Sequence, residues 1–425
     1  MIKPIIYDGQ SAFELFGERD QTSNSVSAIV SEIIADVRSR GDIALKEYTE
    51  KFDGYRADEL KVTEAEFDRA EKALSDEYKR MLGRAAENVR AFHAKQKRDG
   101  FEIKENGRVV GQKVTPINRV AVYIPGGTAA YPSTVLMNAI PAQIAGVPQI
   151  VMATPVKSDG AIRPEVLYAA RLCGVAEVYK IGGAQAVAAL AYGTESIKKV
   201  DKITGPGNAY VAEAKRQVSG VVCGIDMIAG PSEILVVADG GAEPSVVAAD
   251  MLSQAEHDKL ASALLICTDA ELADNVIYEL YKRAEKLPRR EIALCSIENR
   301  CKVIVADDID AAIALANEYA PEHLELCVGD PFSALGKVEN AGSVFLGYNT
   351  PEAVGDYYAG ANHTLPTSGS ARFSSPLGVD DFVKTTQYMY YEYDSLVSAA
   401  DDITMFARSE GLDAHAQSVE VRTKK

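Results

Sequence analysis

RVAVYIPGGTAAYPSTVLMNAIPAQIAGVPQIVMATP, residues 119–155, decides the fold. Two continuous apolar runs, VAVYIP and QIVMATP, flank the Gly126-Gly127 turn and a stretch of helix length. Strand, glycine turn, helix, strand is the βαβ succession, and strands without polar alternation are those buried on both faces of a parallel sheet. The unit repeats downstream in EVYKIG, KVDKITG and VVCGIDM, with turns at Gly182-Gly183, Gly205-Pro206-Gly207 and Ala229-Gly230-Pro231. Ligands of such sheets bind beyond the carboxyl ends of the strands. Glycine there lets backbone approach a phosphate or a nicotinamide ribose at a helix N-terminus. No G-x-G-x-x-G is present, and GPGNAY lacks the third glycine, so the motif alone does not support a standard dinucleotide fold.

A second α/β run starts at Glu233: EILVVAD, a helix from Glu243 to about His257, SALLICT, a helix from Ala270 to Lys286, CKVIVAD, a further helix, LELCVG and SVFLG. Upstream, Val26, Ile29, Val30, Ile33, Ile34 and Val37 recur at helical spacing, and Gly41 reads as a stop. Another helix is expected from Thr63 to Lys97, opened by the Thr63 and Glu66 capping box, with His93 on its surface. Asn106-Gly107, between alternating runs, marks a hairpin. The expected layout is an extension over 1–22, a main α/β domain over 23–124 with 233–378, an inserted α/β domain over 125–232, and a tail over 379–425. The tail (strand-like VKTTQYMYYEYD, then two helices) lacks a core of its own, and packing on a partner subunit would supply one.

A chain of 425 residues, 47% hydrophobic and 25% charged, fits a globular enzyme with more than one core. Its net charge of −16, without a basic cluster, argues against nucleic acid and anionic membranes. The start, MIKPIIYDGQ, shows no export signal and no apolar run reaches spanning length, so a cytoplasmic location is expected. Six scattered cysteines form no C-x-x-C pair and read as buried thiols.

Only five histidines occur, at 93, 257, 323, 363 and 415. Four have an acid or amide neighbour at an element end: Gln254 and His257 in LSQAEHD, Glu322 and His323 in APEHLEL, Asp356 and His363 within PEAVGDYYAGANHTLPTSGSARFSSPLG (351–378), and Glu410 and His415. The 351–378 stretch has no helical or strand periodicity, and a long polar loop is worth ordering when it holds something. Each histidine singly reads more simply as a structural residue, and the loop as a solvated surface. Together, imidazoles with a carboxylate and an amide oxygen suit a borderline divalent ion such as zinc in an open, catalytic site.

These segments, with YIPGGTAAYPSTVLMNAIPA, VYKIGGAQAVAALAYGT, KITGPGNAYVAEAK, DMIAGPSEILVVAD, AGSVFLG, ARFSSPLGVDDF and EGLDAHAQSV, resemble the histidinol dehydrogenase family in order from about Lys3 to Arg422. The resemblance implies two similar, incomplete Rossmann-like, aldehyde-dehydrogenase-like α/β domains with small terminal dimerisation extensions. It also implies a zinc-dependent homodimer that oxidises L-histidinol through L-histidinaldehyde to L-histidine with two NAD. Carried over by position, Gln254, His257, Asp356 and His415 would hold the metal, and Glu322 and His323 would be the acid/base pair. Ser232, Glu352, His363 and Glu410 would meet substrate, along with His323 and the metal ligands, while Tyr123, Gln185 and Asn208 would meet NAD. His415 and Glu410 would cross into the partner's site. Two rivals stay open: a cysteine-nucleophile dehydrogenase using Cys223 or Cys327, and a non-catalytic binding protein on the same scaffold.

Overall fold

A computed structural model describes residues 2–17, 19, 24–56, 59–126 and 130–424. The chain divides into two compact units, Met1–Gln96 with Asn118–Phe382 and Lys97–Ile117 with Val383–Lys425. The larger unit holds two parallel sheets. One orders its strands Glu177–Tyr179, Gln149–Ala153, Arg119–Tyr123, Lys202–Thr204 and Gly224–Ile225. In chain order that is third, second, first, fourth, fifth. The other runs Ile5–Ile6, Lys302–Val305, Ser262–Cys267, Glu233–Ala238, His323–Cys327, Ser343–Leu346. Setting aside the Ile5–Ile6 edge, its order is the same. Both are therefore Rossmann-like halves with a switch point between first and fourth strands, as the apolar runs predict. Residues 233–238 are buried throughout, which is why their sequence shows no polar alternation.

The expected domain boundaries shift. Arg119–Tyr123, placed by sequence before a boundary at 124, is the central strand of the first sheet. The helices Asn24–Arg40 and Asp42–Asp53 also belong to that sheet's core, where Val30, Val37 and Leu45 pack with Ala121, Leu190 and Ile203. Periodicity shows that a helix has an apolar face but not which core receives it. The chain start joins the other sheet, Ile5 and Ile6 lying in parallel register with Ile304 and Val305. Of the expected extension, residues 1, 18 and 20–22 lie outside the described residues, as does Gly127 of the first turn. The expected Thr63–Lys97 helix is two, Glu64–Ala73 and Asp76–His93, because Ser75 caps a new start; the Thr63–Glu66 box is present.

In the smaller unit Asn106 (φ 46°) and Gly107 (φ 69°) turn the hairpin with left-handed backbone at both positions. Sequence sends this hairpin to the main core. Instead its second strand, Arg108–Pro116, pairs antiparallel with Val383–Tyr391 of the tail. The helices Tyr393–Ser409 and Asp413–Thr423 complete this unit. Among the described residues no helix is long and apolar enough to cross a membrane.

Leu45 is fully buried against the first sheet. Leu45→Ala should cost about 2–5 kcal/mol through the lost contacts and the cavity, read as a lower urea midpoint. An unchanged midpoint would mean that the Asp42–Asp53 helix is not part of this core.

Candidate active site

At the carboxyl end of the first sheet the three residues named for a dinucleotide stand on different strands' ends: Tyr123 ends the central one, Asn208 follows its neighbour Lys202–Thr204, and Gln185 follows the edge strand Glu177–Tyr179. Tyr123 closes the central strand and is 3% exposed; its hydroxyl accepts from Gly183 N at 3.0 Å, and burial pushes it up to about 12. Gln185 stands in the first turn of the helix Gly183–Tyr192, and its Oε1 is a buried acceptor with no partner among the described residues. Asn208 caps the helix Ala209–Val218, its Oδ1 accepting from Tyr210 N and Val211 N at 3.1 Å each. That cap explains an Asn here on local grounds and leaves the amide group as the donor end.

The second cluster sits at the opposite, amino end of the second sheet. Ala320, in left-handed conformation (φ 52°), ends the helix Ile309–Tyr319 and turns the chain into Pro321-Glu322-His323. Consecutive strand residues face opposite ways, but at this turned entry both side chains converge: Glu322 Oε2 lies 3.8 Å from His323 Nδ1. Glu322 also accepts from Glu233 N at 2.8 Å. Two groups compete for His323 Nδ1, the Glu233 carbonyl at 3.0 Å, which can only accept, and Gln254 Nε2 at 3.1 Å, which can only donate. Gln254 has another acceptor in Glu352 Oε1, also at 3.1 Å. The proton is therefore assigned to Nδ1 and the lone pair to Nε2. His323 Nε2 is buried without a hydrogen-bond partner among the described residues, 3.7 Å from Glu352 Oε1 and 3.9 Å from Asp356 Oδ1.

Glu352 and Asp356 are four apart on the short helix Glu352–Tyr357 and so share a face. This helix corrects the expectation of an irregular 351–378 segment: one and a half turns are too short to show a period. His363 follows, its Nδ1 against the Asp356 carbonyl at 3.1 Å and its Nε2 facing the Thr134 hydroxyl at 3.3 Å. Thr134 belongs to the helix Pro132–Ala145 of the first sheet, so this contact ties the two sheets together at the site.

Burial dominates the electrostatics. It raises Glu322 well above the carboxylate range, Glu352 to about 8 and Asp356 to about 7. It lowers His323 and takes His363 down to about 4. Several carboxyls and neutral imidazoles thus crowd one water-poor space, an arrangement that a divalent cation would relieve. The donor set fits such an ion. Ligating atoms of His323, Glu352 and Asp356 lie within 4.8 Å of one another, and Gln254 Oε1, on a fully buried side chain, has no partner among the described residues.

Four more residues named from sequence lie on other segments of the chain. His257 lies just beyond the helix Pro244–Ala255 that carries Gln254, its N–H donating to the Gln254 carbonyl at 3.0 Å; the protein packed around its ring and the neighbouring His323 hold it below the ordinary imidazole value. Ser232 immediately precedes Glu233, and its carbonyl accepts from Ser262 N. Glu410 and His415 belong to the smaller unit, at the C-cap of Tyr393–Ser409 and in the first turn of Asp413–Thr423. His93, expected on the surface, is fully buried, with Nδ1 2.8 Å from the Val89 carbonyl and Nε2 3.2 Å from Asn362. Its spacing from Leu82 and Val89 was the available signal. Sequence reasoning also missed Glu325, 1% exposed, whose Oε1 accepts from Glu352 N at 2.8 Å. The i, i+2 spacing from His323 places it on the same strand face.

The chain matches the family model described as histidinol dehydrogenase over residues 17–423. It is 54% identical over 397 residues to the histidinol dehydrogenase of Geobacillus kaustophilus, covering 93% of each chain. It is 50% identical over 428 residues to that of Lactococcus lactis, covering 99% of each. Among solved structures, the histidinol dehydrogenase of Elizabethkingia anophelis superposes with a TM-score of 0.95 at 39% identity, over 100% of this chain and 98% of that one.

The folded values of Glu352 and Asp356, about 8 and about 7, lie above the ordinary carboxylate values of the unfolded chain. Folding therefore takes up protons, and stability from this source, complete at acid pH, is lost as pH rises through 7 to 8. His363, held at about 4, acts oppositely, losing its contribution as pH falls from its unfolded value. Above about pH 6.5, where an unfolded His is already neutral, only the carboxyls count. The urea midpoint of chelator-stripped protein should fall from neutral to mildly alkaline pH, less steeply in Asp356→Asn; a midpoint rising over that interval would contradict the burial of these groups.

Proposed function

The chain belongs to the histidinol dehydrogenase family, and from that membership we propose that it oxidises L-histidinol through L-histidinaldehyde to L-histidine, consuming two NAD, as the closing steps of histidine biosynthesis. The reading extends to one zinc ion per subunit, a cytoplasmic homodimer, and sites shared between subunits. One observation supports the chemistry above the rest: His323 Nε2, a buried nitrogen without a hydrogen-bond partner among the described residues, faces Glu352 and Asp356, with Glu322 at its other side.

When bound, NAD supplies the hydride acceptor and zinc supplies an anchor and Lewis acid for the amino alcohol. Gln254, His257, Asp356 and the partner subunit's His415 would hold the ion, and Tyr123, Gln185 and Asn208 the dinucleotide. Glu410, reaching across with His415, Ser232, Glu352 and His363 would hold the substrate. Binding at fixed points brings the reacting carbon to one orientation, which removes much of the entropic barrier.

His323 then acts as base. Burial keeps its imidazole neutral, and the Glu233 carbonyl fixes the tautomer, so Nε2 can take the hydroxyl proton of the alcohol in the first oxidation. Glu322, raised well above the usual carboxylate range, is a stronger base when ionised and takes a proton from the water that adds to the aldehyde. His323 returns its proton to the aldehyde oxygen as that water adds, giving the gem-diol, and, neutral again, takes a gem-diol proton in the second oxidation. No step needs a covalent bond to the protein. The thiols argue the same way: burial pushes Cys223 up to about 12 and raises Cys327 as well, so neither offers thiolate near neutral pH.

Purified enzyme given histidinol should form two NADH for each histidine, lose this activity to a chelator and regain it with zinc. A product of one NADH and free aldehyde would sink the four-electron reading, and chelator-insensitive turnover the metal.

His323→Asn keeps a polar side chain of similar reach but removes the base. Its kcat should fall by about 10²–10⁴, with KM for histidinol changed by far less; a kcat within a few-fold of wild type would remove His323 from the role.

A further inference from the structure

Beneath the Gly205–Asn208 turn the larger unit buries an ion pair that no step above uses. Lys215, 1% exposed, lies in the last turn of the helix Ala209–Val218, and Asp226 directly follows the strand Gly224–Ile225 with its side chain fully buried. Lys215 Nζ contacts Asp226 Oδ1. The same ammonium donates to the Gly205 carbonyl at 2.9 Å, and Gly205 N–H donates to Asp226 Oδ2 at 2.8 Å. Both backbone groups of one residue are thus held by opposite ends of one buried pair in a closed ring of charge-assisted contacts.

Gly205 needs such a grip. Its φ is +109°, and a Cβ there would stand 2.1 Å from the Tyr123 carbonyl oxygen, so the turn runs against the end of the central strand in a conformation that side chains reject. The next residues, Pro206, Gly207 and Asn208, lead from that contact into the helix cap. Taking two charges out of water is costly, and apolar side chains of equal volume often stabilise a fold as well or better. They cannot hold an N–H and a C=O of the same glycine.

We propose that Lys215 and Asp226 are positioning residues for the dinucleotide: by clamping Gly205 they set the turn that presents Asn208 beside Tyr123. They touch no reacting group. The proposal rests on the reading of the first sheet's carboxyl end as the NAD site.

The test compares wild-type enzyme with Lys215→Met/Asp226→Leu, which removes both charges and leaves neither one alone in the interior, and with Lys215→Arg, which keeps the charge but changes its shape. KM for NAD and the midpoint of NADH fluorescence titration should rise by roughly tenfold or more, as expected for a small misplacement of a binding group. KM for histidinol, bound zinc and kcat at saturating NAD should stay within about threefold, a split that partial unfolding would not produce. Wild-type NAD affinity in folded double variant overturns the clamp; if that variant does not fold, an unchanged KM for NAD in Lys215→Arg overturns it. Failure of the underlying reading is separate, since Tyr123→Phe and Asn208→Ala would then also leave KM for NAD at the wild-type value, whereas failure of the clamp alone leaves those two variants weakened.

Discussion

The hydrogen bond from His323 Nδ1 to the Glu233 carbonyl is the contact on which the site's chemistry depends. It joins neighbouring parallel strands at their amino ends and fixes which imidazole nitrogen carries the lone pair. The other tautomer would place N–H, not a base, toward Glu352 and Asp356. A backbone acceptor makes a stable reference because its position belongs to the sheet rather than to a side-chain rotamer, and the His323–Ile234 register determines where the ring stands. That register is in turn set by strands buried on both faces, where a slip by one residue would reverse every side chain.

The two sheets share one strand order but use opposite ends. In the first, glycine-rich turns at the carboxyl ends leave room for backbone to meet a ligand, as the general rule for open α/β sheets states. In the second, the acid and imidazole groups gather at the amino ends of the strands, where the rule does not look. The contact of Thr134 with His363 ties the two ends together. A dinucleotide held by the first sheet and an alcohol held by the second would each be bound by a fold half on its own terms.

Much of this was legible in the sequence because the relevant signals are local. Continuous apolar runs identified the buried strands, Asn106-Gly107 the hairpin, and Thr63 with Glu66 a helix start. The assignment of elements to cores was not legible. Val30 and Val37 show that a helix is amphipathic, yet only the folded chain shows that they pack on the first sheet, and the hairpin's third strand comes from far along the chain. Within the site, His323 and Glu322 stood out as polar residues bounding an apolar strand. Glu325 sat inside the run LELC, where apolar neighbours hid it. His93 was misplaced because its basic neighbours in sequence point elsewhere, while the helix turns it inward to the Val89 carbonyl and Asn362.

Glu325 also explains how six residues after Pro351 hold a helix at all. So short a helix has more unsatisfied backbone donors than internal hydrogen bonds, and Pro351 offers no side-chain cap. Glu325 Oε1 takes the first of those donors, Glu352 N, from inside the sheet. The strand that carries His323 therefore also anchors the helix that carries Glu352 and Asp356, two residues further along the same face. The separation between the His323 imidazole and the two carboxyls is tied to one rigid strand rather than left to the 351–378 segment alone, which is why a stretch without sequence periodicity can hold part of the candidate site.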